Sequence, residues 1–365
     1  MDKRVQIYMM THKPFTKPED PVYVPVHVGR KPWIKAHPGE KSPLLMYVGD
    51  DSGDNISAQN CYYSELTGMY WAWKNSDADY IGICHYRRYL LTHDGALFDQ
   101  RSVQKVLCSY DIITTKNLQL NFPYEEGFVH HHKKIYLDMT AQVVEELYPE
   151  YTNTFQRLVK EKHTYFGNML IAKKETYDAY MAWLFDILFA VQARVKVEEE
   201  DSYHRRIFGF LSEFLQYVWI VHNHLKVYEC MVGMFGEKAE VTETKARLAE
   251  FFKAKDYEGA KQYFLAAKKA RPDLLMEASD ITGELHLCME IIAIAGLEQE
   301  EYGTNLLQER SDFEGLMQYG NQLNRYALTV IRGEEEPDLK AWADEAHVSD
   351  VALQAAIAVM RASER

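Results

Sequence analysis

Short, continuous apolar runs that end in polar turns fill the first two thirds of the chain, and the last third changes to helical spacing. Residues 5–10, 44–48, 80–84, 110–115, 166–172 and 226–230 are such runs. Unbroken hydrophobicity over so few residues predicts strands buried on both faces, as in a parallel sheet. Residues 22–28 instead alternate through Val22, Val24, Val26 and Val28, but Pro25 demotes the stretch to an edge strand or a loop. Helical patterns lie between the runs. Over 57–75, Tyr63, Leu66, Tyr70 and Trp73 recur at the spacing of a core-facing stripe. Residues 139–158 read as a helix interrupted at Pro149, and 173–194 as a long helix rich in Met, Trp, Leu and Phe. Strands alternating with helices predict an α/β domain with a mostly parallel central sheet. Strand signals stop near residue 236, which divides the chain into an α/β domain over 1–238 and an all-α domain over 239–365.

The candidate chemistry sits where the runs end. The central one closes on His85-Tyr86-Arg87-Arg88-Tyr89. In open α/β sheets ligands bind beyond the carboxyl ends of strands, so these groups should face one. His85, Arg87 and Arg88, read as three cations, suit an anion such as a phosphate or diphosphate. The competing reading pairs both arginines with surface carboxylates. The first run ends at Thr11-His12, a place where such folds hold nucleotides, although neither G-x-G-x-x-G nor a P-loop is present. The run at 44–48 leads into Gly49-Asp50-Asp51-Ser52-Gly53-Asp54-Asn55, whose carboxylates suit a divalent cation or ribose hydroxyls, or else simply make an acidic turn. Glu65 lies inside the aromatic helical stretch and needs a partner, with Arg87 or Arg88 as candidates. His130, His131 and His132 cannot all reach one metal from a helix, so a hydrogen-bonding role for one of them is expected. Asp201 and Glu213, each beside basic or aromatic neighbours, are the general-base candidates.

Composition narrows the class. A net charge of -13 argues against general nucleic-acid binding, so any anion site must be local. The 25 Tyr, 16 Phe and 6 Trp suit either a carbohydrate site or an ordinary core. Five scattered cysteines without C-x-x-C spacing suggest neither a zinc ribbon nor a disulfide framework, and a reduced cytoplasmic compartment is expected. The N-terminal apolar stretch is too short for a signal peptide, and no run spans a bilayer, so membrane contact would be peripheral, at the inner face. In the helical domain, Asp256-Tyr257-Glu258-Gly259-Ala260 resembles part of a tetratricopeptide-type pair, and Asp312-Phe313-Glu314-Gly315 echoes it at the wrong offset for a repeat. An acidic stretch, 334–336, precedes Pro337. Dimerisation, partner docking or capping would each suit this domain.

Several of these segments together resemble a bacterial family of capsule and exopolysaccharide gene clusters, long known only as a domain of unknown function and treated as glycosyltransferase-like. The matching stretches are the 49–57 loop, 63–75, the His85-Tyr86-Arg87-Arg88-Tyr89 segment, Phe166-Gly167-Asn168-Met169 and 206–213, within roughly residues 4–235. The family often carries acid-x-Asp after its His cluster, where this chain has Tyr136-Leu137-Asp138. The resemblance implies a GT-A-like nucleotide-sugar-binding domain. It implies a transferase moving sugar from a nucleoside-diphosphate donor, a UDP-sugar, to a cell-surface polysaccharide or lipid-linked glycan. His85, Arg87 and Arg88 would neutralise the departing nucleotide partly or wholly in place of a metal, and Asp201 or Glu213 would deprotonate the acceptor if the transfer inverts configuration. Thr11, His12, Asp50, Asp51, Asp54 and Asn55 would hold the nucleoside. Glu65, Trp73, Tyr86, His131, His132, Asp138 and Asn168 would complete the substrate site. No cofactor is then required; failing that, Mg or Mn would bind, with Asp50 and Asp51 as ligands. The rivals are a glycan-binding scaffold of an assembly complex and a metal-dependent phosphoester hydrolase or nucleotidyltransferase.

Overall fold

The computed structural model describes residues 3–276, 279–334 and 336–363; Met1, Asp2 and Glu335 of the acidic stretch lie outside them. The chain forms two compact units, 1–235 and 236–365. The first holds strands β1 (Val5–Thr11), β2 (Tyr23–His27), β3 (Val48–Gly49), β4 (Tyr80–His85), β5 (Arg88–Leu91) and β6 (Ile112–Thr115). A small pair, β7 (Leu118–Gln119) with β8 (His163–Thr164), precedes β9 (Leu170–Lys173) and β10 (Val227–Met234). Its helices are α1 (Arg30–Ala36), α2 (Asn60–Tyr63), α3 (Leu66–Asn75), α4 (Gln100–Val106), α5 (Tyr124–His131), α6 (Lys134–Leu147), α7 (Thr152–Leu158), α8 (Lys174–Gln192) and α9 (Ile207–His222).

The sheet is mixed, which corrects the expectation of a mostly parallel one. β1 lies parallel between β2 and β4, and β3 and β6 also pair in parallel with β2 and β10. β9 runs antiparallel between β4 and β6, and β5 antiparallel to β4 and β10. The reason is local. A tight turn at Tyr86–Arg87 folds β5 straight back on β4, and only an antiparallel partner can follow so short a connection. The pairings β4–β9–β6–β10–β5–β4 therefore close a ring around the end of the central strand.

Both faces of the sheet are covered, as the unbroken apolar runs require. Tyr8, Met10, Ile81 and Ile83 join the large core shared with α3, α8 and α9, whereas Val5, Ile7, Met9, Tyr80 and Cys84 face the smaller core that includes Phe98, Val103 and Leu107. Helix α3 lies close on β1: a Cβ at Gly68 would come within 2.2 Å of the Met10 sulfur. β2 is a true strand despite Pro25. The Val28 N–H donates to Thr11 O, so the alternation turns the Pro25 nitrogen away from β1, where β3 begins only opposite Val26. The stretch 44–48 is largely not a strand: Pro43–Met46 is a 3-10 turn entered through the Ser42 cap, and only Val48–Gly49 pairs. The expected helix over 57–75 breaks at Ser64 (φ 49°), which separates α2 from α3.

The second unit contains α10 (Ala239–Lys253), α11 (Tyr257–Ala270), α12 (Glu284–Tyr302), α13 (Phe313–Arg332), α14 (Pro337–Glu345) and α15 (Asp350–Ser363) around its own core. The Asp-x-x-Gly echo seen in the sequence is a helix start used twice. Asp256 and Asp312 accept from the Gly259 and Gly315 N–H groups at 2.8 Å, capping α11 and α13. Among the described residues no helix is long and apolar enough to cross a membrane.

Candidate active site

At the end of β4, His85 and Arg88 face each other across the Tyr86–Arg87 turn. Alternation puts His85 on the same side as Ile81 and Ile83, toward α9. Its Nε2 lies 2.6 Å from Gly167 O. A carbonyl only accepts, so Nε2 carries the proton and donates. Burial, followed by the Arg88 charge, pushes the His85 pKa down to about 4. His85 is therefore neutral at pH 7, and the three expected cations become two. Arg88 is half-buried; a Cβ on Gly167 would come within 3.9 Å of its Nη1. Arg87 is 8% exposed, with its guanidinium carbon 5.6 Å from the Tyr86 ring centre.

The partner of this strand end is the turn Phe166–Met169. Gly167 (φ 101°) and Asn168 (φ 48°) both occupy left-handed backbone, which Gly and Asn tolerate best. That conformation aims the Gly167 N–H at Glu213 Oε1 on α9, 2.7 Å away, while its carbonyl receives His85. Asn168 is 2% exposed and fully used. Its Nδ2 donates to Glu65 Oε1 (2.7 Å) and Gly209 O (3.0 Å), and its Oδ1 accepts from Ser212 Oγ (2.7 Å). The break at Ser64 thus has a consequence: it starts α3 afresh at Leu66 and leaves Glu65 within reach of Asn168.

Glu213 is the perturbed group. Burial, above all, lifts its carboxyl to about 8; the Gly167 N–H and Arg88 oppose the rise, and the Glu65 charge adds to it. Such a group exchanges a proton near neutral pH, the property wanted of a general base. Asp201 is different. It is exposed, caps its own turn by accepting from the Tyr203 and His204 N–H groups, and bonds His204 Nδ1 at 2.6 Å. Those bonds hold it at about 2. Of the two base candidates, the geometry favours Glu213.

An aromatic group adjoins the same strand ends. His12 and Phe15 meet the Tyr86 ring edge-on at 5.6 and 5.8 Å, and Phe15 meets Tyr47 at 5.8 Å. Phe15 and Tyr47 escaped the sequence reading because a lone aromatic in a loop carries no periodic signal. Thr11, by contrast, is buried and its hydroxyl closes a turn with Lys13, leaving nothing for a ligand.

Other candidates lie elsewhere. Asp50 is fully buried and accepts from the Gly29 and Arg30 N–H groups, Ser57 Oγ and Thr67 Oγ1, so it anchors α1 and the α2–α3 region instead of meeting a ligand. Asp51 faces Arg30 (3.8 Å), Asp54 accepts from Tyr70 Oη (3.1 Å), and Asn55 bonds within its own loop. This loop does not fit a metal: its one buried carboxylate has no oxygen to spare. Among the described residues no group of three or more His, Cys, Asp or Glu could hold one. Trp73 packs against Phe185. His131 is exposed, and its carbonyl accepts from His204 Nε2. His132 is buried beside Phe210 and Tyr203, and burial lowers it to about 4. Asp138 pairs with Lys134 one turn away on α6 and lines a crevice with Glu125, Phe155 and Lys160.

Residues 6–224 match the family described as domain of unknown function DUF4422. The chain belongs to that family. Every residue of the His85–Arg88–Glu213 arrangement lies within the DUF4422 match, and the helical second unit lies beyond it. Among solved structures the chain is similar to one titled WbbM bifunctional glycosyltransferase, apo form, with 28% identity and a TM-score of 0.55. The similarity covers 64% of this chain and 46% of that one, so the chain spans less than half of its neighbour. No curated protein matches. The DUF4422 unit is thus glycosyltransferase-like in sequence and fold.

Proposed function

We propose that this protein is a GT-A-type glycosyltransferase that moves a sugar from a nucleoside-diphosphate donor, a UDP-sugar, to a hydroxyl of a growing polysaccharide or lipid-linked glycan. One observation carries the reading. A cation, Arg88, and a half-buried carboxyl lifted to about 8, Glu213, converge on the Gly167 turn at the end of β4. In the transfer, ionised Glu213 takes the proton of the acceptor hydroxyl as its oxygen bonds to the anomeric carbon. The bond from that carbon to the diphosphate breaks, and Arg88 and Arg87 meet the charge that builds on the leaving oxygens. Neutral His85 holds the turn through its Nε2–H. His12, Phe15, Tyr47 and Tyr86 offer ring faces and edges to the base of the nucleotide.

The hydrolase alternative drew on the 50–54 carboxylates and loses its support with Asp50 so fully engaged. The test is a panel of nucleotide sugars offered with and without lipid-linked and oligosaccharide acceptors. Nucleoside diphosphate released only when acceptor is present is the expected result. Release that ignores the acceptor would mean hydrolysis, and none with any pair would mean a scaffold.

A further inference from the structure

Helix α1 is unusual in having no buried residue. Arg30 and Trp33 form its inward side: Arg30 donates to Tyr47 O (3.1 Å) and Leu45 O (3.4 Å), and Trp33 meets His27 at 5.4 Å and stacks on the exposed C-cap His37 at 4.6 Å. Lys31, Ile34 and Lys35, neighbours at i, i+3 and i+4, share a side next to it and are exposed. The Arg30 bonds also pin the 3-10 turn Pro43–Met46 beside this helix, and there Met46 stands 88% exposed and Ile34 42% exposed. Lys41 is exposed in the link between them. Within 30–48 the only carboxylate is Glu40, in a protein of net charge -13. None of the Lys31, Lys35 and Lys41 ammonium groups makes an ion pair among the described residues.

We infer that this apron docks on an anionic phospholipid surface. Two exposed apolar tips are too little area for a stable protein interface, whereas peripheral membrane binding needs only a modest apolar insertion joined to a basic cluster. The lysines supply the charge complementarity, and Trp33, half-buried at the base of the apron, suits the headgroup boundary. Tyr47, next to Met46, touches Phe15, which touches Tyr86. The apron therefore adjoins the open end of the sheet, where, on the proposed transferase reading, a lipid-linked acceptor would be presented.

Cosedimentation of the full chain with vesicles of phosphatidylcholine containing phosphatidylglycerol, against phosphatidylcholine alone, tests the inference without donor or acceptor. Its failure would leave the transferase reading standing. Binding to the anionic vesicles that fades at high salt is expected. The triple variant Lys31→Gln, Lys35→Gln, Lys41→Gln should bind about a hundredfold more weakly, roughly fivefold per lysine. Met46→Asp should weaken it further at an unchanged melting temperature, because the side chain touches little of the fold. Equal binding by the triple variant, no binding by the natural chain, or a dimer that Met46→Asp dissolves would each overturn the inference.

Discussion

Replacing Glu213 by Gln separates charge from shape at the centre of the site. Gln keeps an oxygen for the Gly167 N–H, so the turn that positions Asn168 and receives His85 should survive. What disappears is a titrating carboxyl. In the unfolded chain Glu213 ionises near 4.5, and in the folded chain near 8. The folded state therefore binds the proton more tightly, and stability falls as pH rises from about 4.5 to about 8, then levels. A displacement of that size corresponds to at most about 3–5 kcal/mol, and the partial exposure of the side chain argues for the lower end. Glu213→Gln should abolish that decline, making the variant the more stable protein at pH 8.5 and nearly equal at pH 5. Urea titrations at both pH values read by tryptophan fluorescence would report it, because five of the six tryptophans, Trp33, Trp71, Trp73, Trp183 and Trp219, lie in the first unit. In sugar transfer the variant should lose 10²–10⁴-fold in kcat, and the natural enzyme should gain rate with pH up to about 8. Asp201→Asn, already a weak base, should cost less than about tenfold. A Glu213→Gln enzyme with near-normal kcat, or a parallel stability decline in both proteins, would refute this assignment.

Other consequences can be checked alongside. Asp50→Ala strands four donors in the core and should cost about 3–5 kcal/mol in denaturant unfolding, whatever its effect on activity. Asp312→Ala removes the cap of α13 and should destabilise the helical unit by about 1 kcal/mol, seen by circular dichroism, with the donor affinity of the first unit unchanged. Transfer activity should persist in excess EDTA; complete loss restored by Mn²⁺ would show that a metal neutralises the nucleotide.

How much of this was written in the chain depends on the kind of signal. Buried strands β1, β4 and β6 were legible because two-sided burial demands unbroken apolar runs. The antiparallel insertion of β9 was not, since a run of Leu170-Ile171-Ala172 looks the same in either direction. The abrupt switch from Cys84 to His85-Tyr86-Arg87-Arg88 marked the candidate site. It misjudged the charge, because burial next to Arg88 decides the state of His85 and no local pattern records burial. The dense acids of the 50–54 loop misled for the same reason: Asp50 owes its place to Ser57 and Thr67, which the sequence offers only as ordinary helix-start residues. The Gly167-Asn168 pair entered the sequence reading only through the resemblance, although two residues tolerant of left-handed backbone in succession mark a turn that must present its N–H and C=O to something.

Calorimetric titration of UDP into the natural chain, Arg88→Ala and Arg88→Lys tests the central claim most directly, because Arg88 is the cation beside Glu213 and the Gly167 turn. Binding by the natural chain, weakened at least about tenfold in Arg88→Ala and only partly recovered in Arg88→Lys, is what a diphosphate held by a guanidinium fork requires. UDP bound equally well by all three, with melting temperatures unchanged, would contradict it.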